Sequence, residues 1–222
     1  MDLEEFKTKV IKEKFGINSE QFFNIYTFVD FGNVRHWAKE FWPMENKYRI
    51  CVEIDIEKLG KICECIKSQK RFFYYGYYPK RDDLDWNHPL NLKYRKSIAR
   101  VNKAKESGFK KRTKEIKMIP HYDEGGKFIG KMPKCNFDVE ITMDMLMKIN
   151  KYDSVMLLSG DSDFGGLLSY LKSKGKKIII VCTRNYMSTE LESVKDKFIP
   201  AELLKDFLRF ENKNTPPVKA EE

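Results

Sequence analysis

A short apolar run that ends in two carboxylates constrains the fold of this chain more than any other stretch. Residues 155–158 read Val-Met-Leu-Leu and are followed by Ser-Gly, so they are too few for a helix and predict a buried β-strand. Apolar side chains then recur with helical spacing between Phe164 and Leu171. Asp161 and Asp163 therefore lie in the turn between the strand and the helix, or in the first helical turn.

Two interpretations of this acidic pair are open. Carboxylates stabilise helix N-termini because they accept hydrogen bonds from free backbone N–H groups and complement the helix dipole. The carboxyl end of a parallel strand is also the place where open α/β sheets bind ligands. One acid suffices for a cap, so the second acid favours a ligand site.

Another predicted strand also ends on a carboxylate. Residues 25–29 are β-branched and aromatic, which predicts a buried strand ahead of Asp30. Gly32 permits a tight turn after it, and Asn33 is suited to cap the next segment or to bind the Asp30 carboxylate.

Further strands are predicted at residues 71–78, 109–119 and 177–182, and helical patterns lie between them. Alternating strands and helices predict an α/β fold with a central, mainly parallel sheet and helices on both faces. If the sheet has a doubly wound order, the first strand and the strand at residues 155–158 are neighbours. Their terminal acids then meet in one crevice.

Two more acids belong to a helix predicted to begin near Asp138. Asp144 lies six residues further on, which places the two side chains about 120° apart and about 9 Å apart along the helix axis. They cannot simply share one ion. Asp138, at the N-terminus, is the better candidate for the crevice, and we expect Asp144 to support the site or to face the surface.

Four carboxylates in one crevice repel one another unless cations neutralise them. Hard oxygen ligands suit Mg²⁺ or Mn²⁺. Such an ion can activate water and stabilise the charge that develops on a phosphodiester. The sequence offers no nearby candidate Ser-His or Cys-His pair for nucleophilic catalysis.

Basic residues are unevenly distributed along the chain. The formal net charge is +9, and residues 93–117 contain eleven basic residues against two acids. In the helix predicted there, one face carries a stripe of four of them: Lys93, Lys96, Arg100 and Lys103. A solvated helix face is one interpretation, and a stripe of one sign without acidic partners favours phosphate contacts with a nucleic acid.

Two aromatic or glycine-rich stretches leave alternatives open. Residues 36–48 contain Trp37, Phe41 and Trp42 without clear periodicity, which is typical of an aromatic loop or short helix that packs on the core or stacks on bases. Residues 121–130, with two consecutive glycines, predict an excursion or hairpin.

The composition predicts one main domain in a reducing compartment. The five cysteines are odd in number and lack metal-ligand spacing with the histidines, so reduced thiols are expected. No signal-peptide pattern opens the chain, and its apolar runs fall far short of the roughly 20 residues that span a bilayer. We therefore expect a cytoplasmic protein without membrane partners. The predicted organisation is a helical arm at 1–23, the α/β domain at 24–200, and a helix with a disordered tail at 201–222.

Three segments together resemble one known family. They are Val-Asp-Phe-Gly-Asn at 29–33, Lys-Cys-Asn-Phe-Asp-Val at 134–139 with Asp144, and Leu-Ser-Gly-Asp-Ser-Asp-Phe at 158–164. At these positions the chain resembles the NYN domain family, the LabA-like branch of the PIN-like ribonuclease superfamily. The resemblance covers roughly residues 24–200 and implies a PIN-like three-layer α/β/α sandwich.

The resemblance also implies a function and its residues. It implies a metal-dependent endoribonuclease, a hydrolase that uses Mg²⁺ or Mn²⁺ and acts on RNA. The acidic cluster that would bind metal and catalyse the reaction is Asp30, Asp138, Asp161 and Asp163. The residues expected to accompany it are Asn33, Asp144 and Ser159.

Two other functions compete with this one. A haloacid-dehalogenase-type phosphatase needs a second Asp two residues after the first strand's Asp, and that position is Gly32 here. A non-catalytic RNA-binding or regulatory adaptor with the same fold is the stronger rival, because the basic stripe and the aromatic residues remain useful without chemistry. A homo-oligomer is also compatible with the sequence.

Overall fold

Six parallel strands form the central sheet in the computed structural model, which describes residues 13, 15–17, 20–43 and 52–211. The strands of the described chain are β1 (Ile25–Asp30), β2 (Val52–Ile54), β3 (Lys70–Tyr74), β4 (Lys110–Arg112), β5 (Lys117–Tyr122), β6 (Phe128–Lys134), β7 (Ser154–Leu158), β8 (Lys177–Cys182), β9 (Lys197–Pro200) and β10 (Arg209–Glu211). The central sheet has the order β4-β3-β1-β7-β8-β9. The prediction that the first strand neighbours the strand before Asp161 is confirmed.

Helices flank this sheet and connect its strands. They are α1 (Phe31–Val34), α2 (Trp37–Phe41), α3 (Ile56–Cys65), α4 (Pro89–Glu106), α5 (Asp138–Met147), α6 (Gly165–Ser173), α7 (Thr189–Val194) and α8 (Lys205–Leu208). Asp55 caps α3 by accepting hydrogen bonds from two backbone N–H groups, and the Ser188 side chain caps α7 by accepting one. The predicted α/β fold is confirmed.

The strands in the middle of the sheet are buried because helices cover both of their faces. Every residue of β7 is buried, as is β8 after its first lysine. Such strands read as continuous apolar runs rather than as alternating patterns. Across the sheet, Phe28 lies opposite Phe72 and Leu157, and the two phenylalanine rings stack with centroids 5.1 Å apart.

The aromatic stretch after α1 belongs to the core. Trp37, Phe41 and Trp42 are all buried, so packing and not base stacking accounts for these three rings. The later part of the stretch, residues 44–48, lies outside the described residues.

The predicted third strand is divided between two sheets. Only Lys110–Arg112 joins the central sheet, as β4 beside β3. Strands β5 and β6 instead form an antiparallel hairpin of their own. The hairpin predicted at residues 121–130 is therefore confirmed, and its strands extend further than predicted, to Lys117 and Lys134. Its turn is closed by Asp123, whose carboxylate accepts hydrogen bonds from the backbone N–H groups of Gly125 and Lys127 at 3.0 and 2.8 Å.

The end of the described chain differs from the predicted last helix. A short 3-10 turn at Ala201–Leu204 and α8 are followed by β10, which pairs antiparallel with β2. This pairing satisfies the backbone of two strands too short to be recognised from their sequence. The predicted tail begins at Glu211, which instead belongs to β10. The rest of that tail and most of the proposed arm at 1–23 lie outside the described residues, so the domain boundaries stay predictions. In the described part of the chain, no helix combines the length and apolarity required to cross a bilayer.

Candidate active site

An open cavity of about 530 Å³ lies at the carboxyl edge of the sheet, where Asp30 ends β1 and Asp161 follows β7. Parallel strands end at the same edge of a sheet, so the acids that follow the two strands meet there. Asp30, Asp138 and Asp161 all line the cavity. The other residues that line it are Gly32, Asn33, Arg35, His36, Tyr75, Gly76, Tyr78, Ile116, Pro133, Cys135, Asn136 and Phe137.

Three carboxylates at this edge are close enough to hold a common cation. Asp138, Asp161 and Asp163 each offer an oxygen, and these oxygens lie within 4.8 Å of one another. Opposite oxygens around an octahedral Mg²⁺ are about 4.2 Å apart, since each lies about 2.1 Å from the ion. Adjacent oxygens around the same ion are about 3.0 Å apart, so the three side chains must rotate towards one another to share one ion. The donor set, all carboxylate oxygen, fits a hard divalent ion.

Asp161 both caps a turn and faces the cavity. One of its carboxylate oxygens accepts a hydrogen bond from the Asp163 backbone N–H at 3.0 Å, which caps the 3-10 turn at Ser162–Phe164. Its own N–H donates to the buried hydroxyl of Ser159 at 3.3 Å. The capping interpretation is therefore correct for Asp161, and Ser159 positions the turn. The side chain of Asp163 is exposed beside this turn, and it is the backbone of Asp163 that takes part in the cap.

Close packing fixes the glycine between these residues. A Cβ atom at position 160 would lie 2.2 Å from the backbone oxygen of Tyr186. Only glycine therefore lets the strand end approach the segment before α7 so closely.

Asp138 is fixed at the first turn of α5 by its neighbour Asn136. The Asn136 side chain accepts a hydrogen bond from the Asp138 backbone N–H at 2.7 Å and donates another to the Asp138 carboxylate. The pKa of Asp138 is raised by burial and by the negative charges of Asp161 and Asp163, although the Asn136 bond opposes the rise. Asp161 and Asp163 are thus close enough to Asp138 to disfavour its charged form.

Asp30 lies in the same cavity but outside the group of three close oxygens. Its pKa is raised to about 6, first because it is buried and then because of the charges of Asp138 and Asp161. The backbone N–H of Asn33 donates to its carboxylate at 3.3 Å. The structure therefore brings three of the four predicted ligands close together. The fourth, Asp30, lines the same cavity and is hydrogen-bonded by the backbone of Asn33.

Asp144 has a different environment from the other acids. It is buried, does not line the cavity, and accepts hydrogen bonds from Tyr74 at 2.8 Å, from Arg112 at 2.7 Å and from Lys148. Burial alone would raise the pKa of Asp144, but the bonds from Arg112, Lys148 and Tyr74 outweigh it and lower the pKa. Asp144 therefore ties α5 to β3 and β4.

The predicted basic stripe on α4 is partly neutralised. Arg100 makes two hydrogen bonds with Glu53, at 2.6 and 3.1 Å, and Lys103 pairs with Glu57. The expectation that the stripe lacks acidic partners is therefore wrong for these two residues, because β2 and α3 supply the acids.

The other half of the stripe has a different environment. The Lys93 ammonium lies 5.7 Å from the ring centre of Tyr78, which lines the cavity. Lys93 and Lys96 are exposed and form no ion pair within the described residues. These two lysines therefore stay candidates for phosphate contacts.

Several residues of the cavity were not recognised in the sequence. Arg35 and His36 follow Asp30 closely, and the pKa of His36 is lowered by burial and by the charges of Arg35 and Lys39. The sequence signal for these two residues is their position, five and six residues after the acid that ends the first predicted strand. For Asn136, the signal was its position two residues before a helix-starting Asp, which is typical of a capping turn.

Comparison with known proteins agrees with this geometry. A model of the NYN domain family matches residues 24–204. The low amplitude and bright protein LabA of Synechococcus elongatus is 29% identical over 113 residues, which are 51% of this chain and 59% of LabA. The match thus spans less than two thirds of that relative's length.

A solved structure shares the fold. The crystal structure of a protein of unknown function from Vibrio parahaemolyticus superposes with a TM-score of 0.53 at 21% identity, covering 83% of this chain and 96% of that one. The family model covers most of the chain, and the acids of the chain meet at the carboxyl edge of the expected sheet. This protein therefore belongs to the NYN domain family and is related to LabA.

Proposed function

We propose that this protein is a metal-dependent endoribonuclease that hydrolyses RNA phosphodiesters. The observation that carries the proposal is the group of three close carboxylates, Asp138, Asp161 and Asp163, of which Asp138 and Asp161 line the cavity. Membership of the NYN domain family supports it, since this family belongs to the PIN-like nuclease superfamily.

The cavity is poorly suited to a side-chain nucleophile mechanism. The pKa of Cys135, which lines it, is raised by burial, so its thiol is a poor source of thiolate. Among the described residues His36 is the one histidine that lines the cavity, and its pKa is lowered. An acid-rich site of this kind instead suits hydrolysis by water.

The residues have distinct roles in this proposal. Asp138, Asp161 and Asp163 would hold Mg²⁺ or Mn²⁺. Asp30 would contribute a further negative charge near that ion or bind a second ion. When bound, the ion supplies an activated water and charge stabilisation at the attacked phosphate. Asn136 and Ser159 position the carboxylates, and Arg35 on the cavity wall is suited to bind an RNA phosphate.

Cleavage of labelled RNA tests this proposal. Single-stranded and structured RNAs are incubated with the protein and Mn²⁺, Mg²⁺ or EDTA, beside Asp161→Asn and the exposed control Asp206→Asn. Asparagine is as good a cap as aspartate, so Asp161→Asn keeps the turn and removes one ligand charge. Cleavage is expected to need the ion, to fall by orders of magnitude in Asp161→Asn, and to persist in Asp206→Asn.

Two results would contradict the proposal. Cleavage that survives EDTA, or that is equal in Asp161→Asn and the parent, identifies a contaminating nuclease. RNA binding without cleavage under every metal condition makes the non-catalytic adaptor the better function.

A further inference from the structure

The β5–β6 hairpin is the most exposed part of the described chain. Every residue of its two strands is exposed except Gly130, which is half-buried. Six of its large apolar side chains are 40% to 55% accessible: Met118, Ile119, Tyr122, Phe128, Ile129 and Met132. An isolated two-stranded hairpin is only marginally stable in water, and six exposed apolar side chains on one hairpin favour an interaction surface. The hairpin therefore needs a partner.

Its charges indicate which kind of partner. Residues 117–134 carry four lysines, Lys117, Lys127, Lys131 and Lys134, against two acids in the turn, Asp123 and Glu124, and none of the four lysines forms an ion pair with a described residue. Lys117 lies directly opposite Lys134 in the strand register. Like charges at opposed positions destabilise a hairpin, and a polyanion that binds both of them removes this cost. An apolar protein partner would instead have to bury unpaired ammonium groups.

The root of the hairpin adjoins the candidate active site. Ile116 and Pro133, on either side of the root, line the same cavity as Asp30, Asp138 and Asp161. The tip is about 17 Å away, because five residue steps separate Lys117 from Tyr122 along the strand. At the tip, Tyr122 and Phe128 are opposed, 55% and 52% exposed, with ring centroids 5.9 Å apart.

We infer that the β5–β6 hairpin is an arm that binds single-stranded RNA leading into the cavity. The lysines along its strands bind phosphates, and Tyr122 and Phe128 stack on unpaired bases, which every base allows through its π-face. The arm makes RNA affinity depend on RNA length, since only RNA that extends beyond the cavity reaches the tip. This inference rests on the proposed RNA substrate but does not require that the RNA is cleaved.

Binding of a fluorescein-labelled, unstructured RNA of about 20 nucleotides tests the arm, because this length exceeds the roughly 4 to 16 nucleotides that one OB-fold binds. The measurement uses the full chain in EDTA, so cleavage plays no part. Tyr122→Ala/Phe128→Ala is expected to weaken binding at least about fivefold, the lower end for loss of one stacked base. Binding of a blunt RNA duplex is expected to change less.

The lysines have their own variant and control. Lys117→Gln/Lys131→Gln/Lys134→Gln is expected to flatten the log–log salt dependence by about 0.7 for each phosphate that is no longer neutralised. The matched control Lys105→Gln/Lys174→Gln/Lys205→Gln removes the same charge from exposed positions away from the hairpin and should keep the parental slope. Circular dichroism and thermal melts verify that all variants fold, as expected for exposed positions.

The outcomes separate the arm from the nuclease. Unchanged RNA affinity in both hairpin variants overturns the arm, even if the protein cleaves RNA. Arm-dependent binding without cleavage supports the arm and contradicts only the nuclease. Light scattering identifies the other occupant: if Tyr122→Ala/Phe128→Ala converts a dimer to a monomer while RNA affinity per chain is unchanged, the hairpin binds a second copy and the inference is wrong.

Discussion

Replacing Asp30 by asparagine should stabilise the metal-free protein near neutral pH. Asp30 is the most strongly perturbed carboxylate of the cavity, with a pKa raised from the ordinary 3.8 to about 6. One pKa unit corresponds to about 1.4 kcal/mol, so keeping this carboxylate charged in the folded state costs up to about 3 kcal/mol. The asparagine side chain is uncharged at every pH and can still accept the hydrogen bond from the Asn33 backbone N–H.

The sign of the pH dependence follows from proton linkage. Between about pH 4 and pH 6 the folded state holds the Asp30 proton and the unfolded state does not, so the parental protein loses stability as the pH rises. The contribution of Asp30 is complete below about pH 4 and is lost above about pH 6. The parent and Asp30→Asn should therefore be similar at low pH and should diverge towards neutral pH.

Thermal and urea unfolding in EDTA, from about pH 4 to about pH 8, measure this difference. For a chain of this size, about 3 kcal/mol corresponds to about 6 to 12 °C in Tm. Asp206→Asn, an exposed carboxylate on α8, is the matched control and should follow the parent at every pH. A parent-minus-variant difference that stays constant across this range would contradict a raised pKa of Asp30, because burial and charge repulsion would then not disfavour its charged form.

Three further predictions concern the cation, the buried acid and the basic stripe. Mn²⁺ at a hundredfold excess over its Kd should stabilise the parent by about 2.7 kcal/mol in thermal melts, and an equal shift in Asp161→Asn would contradict binding at the acidic cluster. Asp144→Ala should lower the free energy of unfolding in urea by about 2 to 3 kcal/mol, because it leaves a buried tyrosine hydroxyl and two cations without their partner. The exposed control Asp163→Asn should lower it much less, and equal losses in the two variants would show that Asp144 has no special structural role. Lys93→Gln/Lys96→Gln should reduce the salt slope of RNA binding by about 0.7 for each phosphate that is no longer neutralised, and an unchanged slope would make this part of α4 a solvated face.

Local patterns in the sequence were sufficient for the strands that carry the site. The apolar runs before Asp30 and Asp161 predicted β1 and β7 because a strand covered on both faces must be apolar throughout. The order of such elements then implied that the two strand ends meet, since parallel strands end at one edge of the sheet. The position of Asp138 at the start of a helix was likewise a local property of the chain.

Contacts between distant segments decided the rest. Arg100 looked like one of four free cations, but Glu53, 47 residues away, neutralises it once the fold brings β2 to α4. The sequence predicts that Asp144 supports the site or faces the surface, but only the fold shows that Arg112, Lys148 and Tyr74 hold it in the interior. The predicted strand at residues 109–119 is divided because only Lys110–Arg112 pairs with β3 in the central sheet. A sequence pattern records which side chains an element presents, but the partner of a charge and the register of an edge strand depend on what folding brings beside them.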